Sequence, residues 1–147
     1  MGFCFCCGEK KPHEAVTSTS TQGVLLLAFV NGRAGGNDGD AFAERLLGRC
    51  GWRDDTVYDL VDFFDGRLGD EDVLGRLRDA SESGTSVRVV AAGGDSTVSF
   101  VSDMMARLSE QLDMRIPVAV VPLGTGNELA GALGWTRAFD LSKTRHV

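Results

Sequence analysis

Four short apolar runs, each followed by a helix-like segment, govern what this chain can fold into. GVLLLAFVN (23–31) precedes AFAERLLGRC (41–50), and TVYDLVD (56–62) precedes EDVLGRLRDA (71–80). SVRVVAAG (86–93) precedes a helical pattern from about 97 to 112, and IPVAVVPLG (116–124) precedes NELAGAL (127–133). The runs are strand-sized and apolar on successive residues, so both faces of the strands need cover. Strands of that kind, separated by helices, pack as a parallel sheet with right-handed crossovers. The expected class is α/β, a parallel sheet covered by helices on both faces. In the third helix Val98, Val101, Met105, Leu108 and Leu112 recur at helical spacing. They form one apolar stripe, which is core material.

At 147 residues and 43% hydrophobic composition, the chain is long enough for one domain with its own core and short for two. The net charge of −6 excludes a bulk electrostatic attraction to nucleic acid, so no nucleic-acid partner is expected. The longest wholly apolar stretch, Val24 to Val30, has the length of a strand and not of a membrane span.

Residues 1–22 show no apolar period, and Gly8, Pro12 and TSTSTQ read as a flexible, disordered N-terminal arm. Its tip is MGFCFCC, with Cys4, Cys6 and Cys7. Adjacent Cys6 and Cys7, with no secretory signal, point to a reducing compartment. The spacing lacks the paired CxxC of a zinc site. It suits acylation better: Gly2 becomes terminal once Met1 is removed, as myristoylation requires, and the neighbouring thiols accept palmitate. Cys6 stands where the myristoylation motif wants Ser or Thr. One myristoyl chain binds membranes with only about 10⁴ M⁻¹, so cysteine acylation would supply the second signal. The expectation is a lipoprotein, cytoplasmic and membrane-associated at the cytoplasmic face. The alternative is a tip with reactive thiols.

Three Gly-rich loops fall at the carboxyl ends of expected strands: NGRAGGNDGD after the first, GGDSTV after the third and GTGNELA after the fourth. In parallel α/β sheets ligands bind at that edge. Glycines let main-chain N–H groups approach an anion closely, and a helix starting at once adds unpaired donors and the positive dipole end. Ser96, Thr97 and Thr125 can donate hydroxyl bonds to phosphate. Asp95 cannot bind phosphate directly; it would hold Mg²⁺ or accept a proton from an attacking hydroxyl. Each loop alone could be a turn or a helix cap, with Asn31, Gly32, Gly35 and Gly36 as turn formers and Ser96, Thr97, Thr125 or Asn127 as caps. Three at one sheet edge favour a phosphate site. The P-loop motif is absent, and the Rossmann fingerprint fails because Leu129 stands at its third glycine.

FVNGRAGG, VVAAGGDSTVSFV and VAVVPLGTGNELAGALGW resemble the successive motifs of the diacylglycerol kinase catalytic domain, which read VNPKSGG, GGDGT and PLGTGNDLA. The resemblance runs from about Leu25 to Trp135. It implies a Rossmann-like nucleotide-binding domain of the lipid kinase type over 23–147, the nucleotide-binding half alone, with the family's second domain absent. It implies ATP-dependent phosphorylation of diacylglycerol to phosphatidic acid, a signal-transduction activity, with Mg²⁺. Asn31, Arg33, Gly35 and Gly36 would line the nucleotide. Gly93, Gly94, Ser96 and Thr97 would hold phosphates, with Asp95 in metal or base chemistry, and Gly124, Thr125, Gly126 and Asn127 would close the site. An acylated terminus at Gly2, Cys4, Cys6 or Cys7 would suit a substrate that lives in the bilayer.

The sequence departs from the motifs at four places. Gly32-Arg33-Ala34 replaces Pro-Lys-Ser, Ser96 replaces a glycine, Glu128 replaces Asp, and Gly131 replaces Arg. A left-handed backbone at Ser96 would cost about 1–2 kcal/mol. The alternatives are a catalytically incomplete, membrane-tethered nucleotide-binding remnant or truncated gene product, and a sphingosine or ceramide kinase, which shares the GGDGT theme.

Overall fold

The computed structural model describes residues 23–36 and 38–135. Four strands form one parallel sheet: β1 (Val24–Val30), β2 (Val57–Asp59), β3 (Ser86–Gly93) and β4 (Val118–Pro122), in the order β2-β1-β3-β4. Helices α1 (Asp38–Gly48), α2 (Leu60–Phe64), α3 (Asp70–Glu82), α4 (Asp95–Leu112) and α5 (Glu128–Ala132) follow or precede them in alternation. The class is the expected one. The acylation motif of Gly2, Cys4, Cys6 and Cys7 and the rest of residues 1–22 lie outside the described residues.

Successive strand residues point to opposite faces, and the two faces bury separate clusters. Leu27, Phe29, Val87, Val89, Ala91 and Val120 pack on one side against Val73, Leu74 and Leu77 of α3 and Val98, Val101, Met104, Met105 and Leu108 of α4. Ala28, Val30, Val90 and Ala92 face the other way, against Phe42 and Leu46 of α1. The stripe read from the sequence therefore is core, with Met104 added and Leu112 only partly buried. Helix α1 is shorter than α4 and covers the carboxyl half of its face. Leu26 and Val24, at the amino end of β1, stay exposed.

The second strand is shorter than the sequence suggests. TVYDLVD supports a strand only to Asp59, and a helix starts at Leu60. The reason is local: the Asp59 carboxylate accepts a hydrogen bond from the Val61 N–H at 2.9 Å, an N-cap that stops extension. The cap also places an acid at the carboxyl end of β2. Helix α3 begins differently: Asp72, in its first turn, reaches back and accepts from the Gly69 N–H at 2.7 Å.

Strands β1 and β2 are joined by an aromatic pair as well as by their ladder. Phe29 and Tyr58 are register partners, and their rings stack with centroids 5.0 Å apart. Phe63 meets both edge-on, a favoured arrangement for aromatic quadrupoles. Burial raises the Tyr58 phenol above its ordinary value of 10.0, with Arg76 pulling the other way. Tyr58 is the only tyrosine in the chain, so ultraviolet absorbance of the ionised phenol reads it alone. The folded chain should titrate above the urea-unfolded chain. Because the folded value is the higher, this group's contribution to stability is complete below the unfolded value and is lost as pH rises through the folded one. Coincident titrations in the two states would place the ring in solvent and contradict the stacked arrangement.

Candidate functional site

The strand order reverses direction between β1 and β3, since β2 lies to one side of β1 and β4 lies beyond β3. That switch point is where loops diverge and leave a crevice at the carboxyl edge. The three Gly-rich segments stand there: the turn after β1, the β3–α4 junction and the β4–α5 junction. The structure thus brings together, at one edge, every site segment expected from the sequence.

The loops interlock through main chain. A side-chain carbon on Gly124 would collide with Gly94 Cα and lie 2.8 Å from Gly94 N, and one on Gly94 would lie 3.2 Å from the Gly126 carbonyl oxygen. Backbone touches backbone here, which only glycine permits. The turn after β1 joins them at Gly35, whose φ of 60° is left-handed and whose Cα sits against the Leu123 carbonyl.

Polar side chains hold this arrangement. Asn31, just past β1, donates from Nδ2 to Thr97 Oγ1 at 3.2 Å across the switch point, while its Oδ1 accepts from the Arg33 N–H at 3.2 Å. Thr97 is 1% exposed, and its side chain is packed on Gly93. Asn127 is buried too and grips its own loop: Oδ1 accepts from the Gly124 N–H at 3.2 Å, and Nδ2 donates to the Gly124 carbonyl at 2.6 Å. Asp95 crosses to the next loop. Its Oδ2 accepts from the Glu128 N–H and its Oδ1 from the Leu129 N–H, each at 3.1 Å.

The expected site residues therefore divide into two sets. Thr97, Asn127, Asn31 and Asp95 are engaged in shaping the loops. Ser96, Thr125, Gly126, Gly35, Gly36 and Arg33 are exposed at the rim, and Gly94 and Gly124 are half-exposed. Ser96 lies inside α4, and among the described residues Asp113 is the only non-glycine with positive φ. The left-handed cost anticipated for serine in place of glycine does not arise. Among the described residues no three His, Cys, Asp or Glu side chains converge into a preformed metal site.

One feature on the β2 side of the first loop was not foreseen from the sequence. A cavity of about 180 Å³ opens between α1 and β2, with Val30, Ala43, Leu47 and Val57 as its apolar wall and Gly32, Asp40 and Asp59 at its polar end. Asp40 and Asp59 both converge on Gly32, where an added side-chain carbon would meet Asp40 and lie 3.4 Å from Asp59 Oδ2. The available signal was an acid closing the second strand beside the first Gly-rich loop, which a strand running through to residue 62 concealed.

A family model for the diacylglycerol kinase catalytic domain matches residues 25–146. The chain is 35% identical over 130 residues to diacylglycerol kinase 4 of Arabidopsis thaliana, covering 83% of this chain and 26% of that protein. It is 36% identical over 110 residues to human diacylglycerol kinase iota, covering 75% of this chain and 9% of that one. The eye-specific diacylglycerol kinase of Drosophila melanogaster is 35% identical over 131 residues, covering 86% and 8%. No solved structure gives a significant match. A four-stranded parallel sheet with helices between its strands, and three Gly-rich loops at its carboxyl edge, places the chain in the α/β class. The chain belongs to the diacylglycerol kinase catalytic-domain family. It spans about a quarter or less of the length of these curated relatives.

The loop contacts carry a stability consequence. Gly124→Ala must drive its methyl group into Gly94 and should cost about 1–3 kcal/mol in urea unfolding. Gly126→Ala meets its nearest neighbour at an ordinary 3.4 Å and should change stability by less than about 0.5 kcal/mol. Equal effects would show that the two loops are not in backbone contact.

Proposed function

We propose that this chain carries the nucleotide-binding part of an ATP-dependent lipid kinase that phosphorylates diacylglycerol to phosphatidic acid. The observation that supports it is the interlocked set of three Gly-rich loops at the switch point, within a chain of this family. Phosphates would lie on the exposed rim, taking hydrogen bonds from the hydroxyls of Ser96 and Thr125 and from main-chain N–H groups of the glycines, with Arg33 as the adjacent cation. The nucleoside would extend over β1 toward β2 into the apolar cavity. Neighbouring strands lie about 4.8 Å apart, so the two-strand step from β3 to β2 suits the reach of a nucleotide. Asp59 and Asp40, unsuited to phosphate, would accept hydrogen bonds from sugar hydroxyls.

Mg²⁺ would enter with the nucleotide, since it is commonly held by one or two carboxylates together with phosphate oxygens and water. When bound it neutralises phosphate charge. The protein's own part is to hold the phosphates in line with an attacking hydroxyl and to keep the loops from spreading. Acylation at Gly2, Cys4, Cys6 or Cys7 would place the site at the cytoplasmic face of a membrane, where diacylglycerol resides.

A second reading rests on the fraction of the relatives that the chain spans: this stretch binds nucleotide, and groups beyond it are needed for transfer. One assay separates the two. The full chain is incubated with radiolabelled ATP, Mg²⁺ and diacylglycerol in mixed micelles, and bound nucleotide and labelled phosphatidic acid are both counted. Labelled lipid supports the kinase reading; retained nucleotide without labelled lipid supports the second. Absence of both signals would contradict the nucleotide site itself.

A further inference from the structure

The family resemblance implies metal or base chemistry for Asp95. From its contacts we propose a different role, that of a positioning residue. Asp95 is a strut that caps α5 from across the crevice and sets the spacing of the two phosphate loops. The proposal rests on the nucleotide reading above.

A helix leaves its first N–H groups without partners, and the residue just before it usually supplies a cap. Asn127 holds that place at α5 but makes no side-chain bond to the helix. Its amide is spent on both the N–H and the carbonyl of Gly124, tightening the GTGN turn. The vacant capping role is filled by Asp95, 33 and 34 residues earlier in the chain, whose two oxygens each take one N–H of α5. The charge is favourable as well, because a carboxylate at a helix N-terminus meets the positive dipole end.

Asp95 is itself the first residue of α4 and follows Gly94, which touches Gly124. The carboxylate therefore ties the start of α4 to the start of α5 a short step from the Gly94–Gly124 contact. Both oxygens are engaged by main-chain N–H groups of α5. Any ligand on the rim then feels Asp95 through the loop spacing it maintains.

The variants Asp95→Asn and Asp95→Ala distinguish a strut from a chemical group. Asparagine keeps one acceptor oxygen and nearly the same volume, so a strut is weakened in steps, whereas a base is lost equally with either substitution and a metal ligand shows itself as a loss that needs Mg²⁺. Amide exchange in the full chain should quicken at Glu128 and Leu129 by about tenfold or more in Asp95→Ala, the scale set by a hydrogen bond to a charged group. Asp95→Asn should fall between it and the wild type, and the amides of Leu27 and Val89 should keep their rates. ADP affinity should fall in the same order and by the same factor with and without Mg²⁺.

Unchanged exchange at Glu128 and Leu129 would overturn the strut. So would an affinity loss confined to the Mg²⁺ samples, which would make Asp95 a metal ligand. Acceleration at Leu27 and Val89 in Asp95→Asn would show general loosening and also overturn it. Wild-type protein that binds no ADP would remove the nucleotide reading, and the positioning claim with it, even where exchange rates behave as expected.

Discussion

The contact on which the rest of the site depends is main chain against main chain, Gly94 against Gly124, at the ends of two adjacent strands. Strands β3 and β4 are in register to Gly93 and Pro122, and the Leu123 N–H still donates to the Gly93 carbonyl at 3.1 Å. The ladder thus delivers the two loops side by side, and the absence of side chains lets them meet. Everything beyond that point is arranged around the contact: Asn127 curls its turn onto Gly124, Thr97 packs on Gly93, and Gly35 closes against Leu123.

Such an arrangement explains how an acidic chain could receive an anion. The net charge of −6 offers no general attraction, so the proposed binding would have to come from local dipoles. Main-chain N–H groups and helix starts provide them at fixed positions, and the buried side chains keep those positions from relaxing. Two of the carboxylates near the crevice are already engaged by main-chain donors: Asp95 accepts from α5, and Asp59 caps α2 with one oxygen. The charge of these two is thereby tied to helix starts that stabilise it.

Much of the fold was legible because the apolar runs are long relative to the strands they form. Leu27 to Val30 and Val89 to Ala92 are buried on both faces, and a run apolar at every position admits few alternatives. The stripe on α4 was legible through its period. What misled was β2, where apolar residues continue past Asp59 and a single side-chain cap converts the remainder to helix. At the site, the loops were located by their glycines, but the division of labour among polar residues was not. A hydroxyl or carboxylate in a Gly-rich loop reads alike whether it faces a ligand or a neighbouring amide, and pairs such as Asn31 with Thr97 or Asp95 with Leu129 depend on the sheet order.

If the three loops at the switch point form one nucleotide site, a single ligand must perturb all of them together. Amide chemical shifts of the full, isotopically labelled chain, followed while ATP is added, test this most directly. Saturable changes are expected at residues 31–36, 93–97 and 124–129, with a smaller set at Val57 to Asp59 beside the cavity. Changes absent at these positions, or confined to surfaces such as that around Cys50, would contradict a shared site.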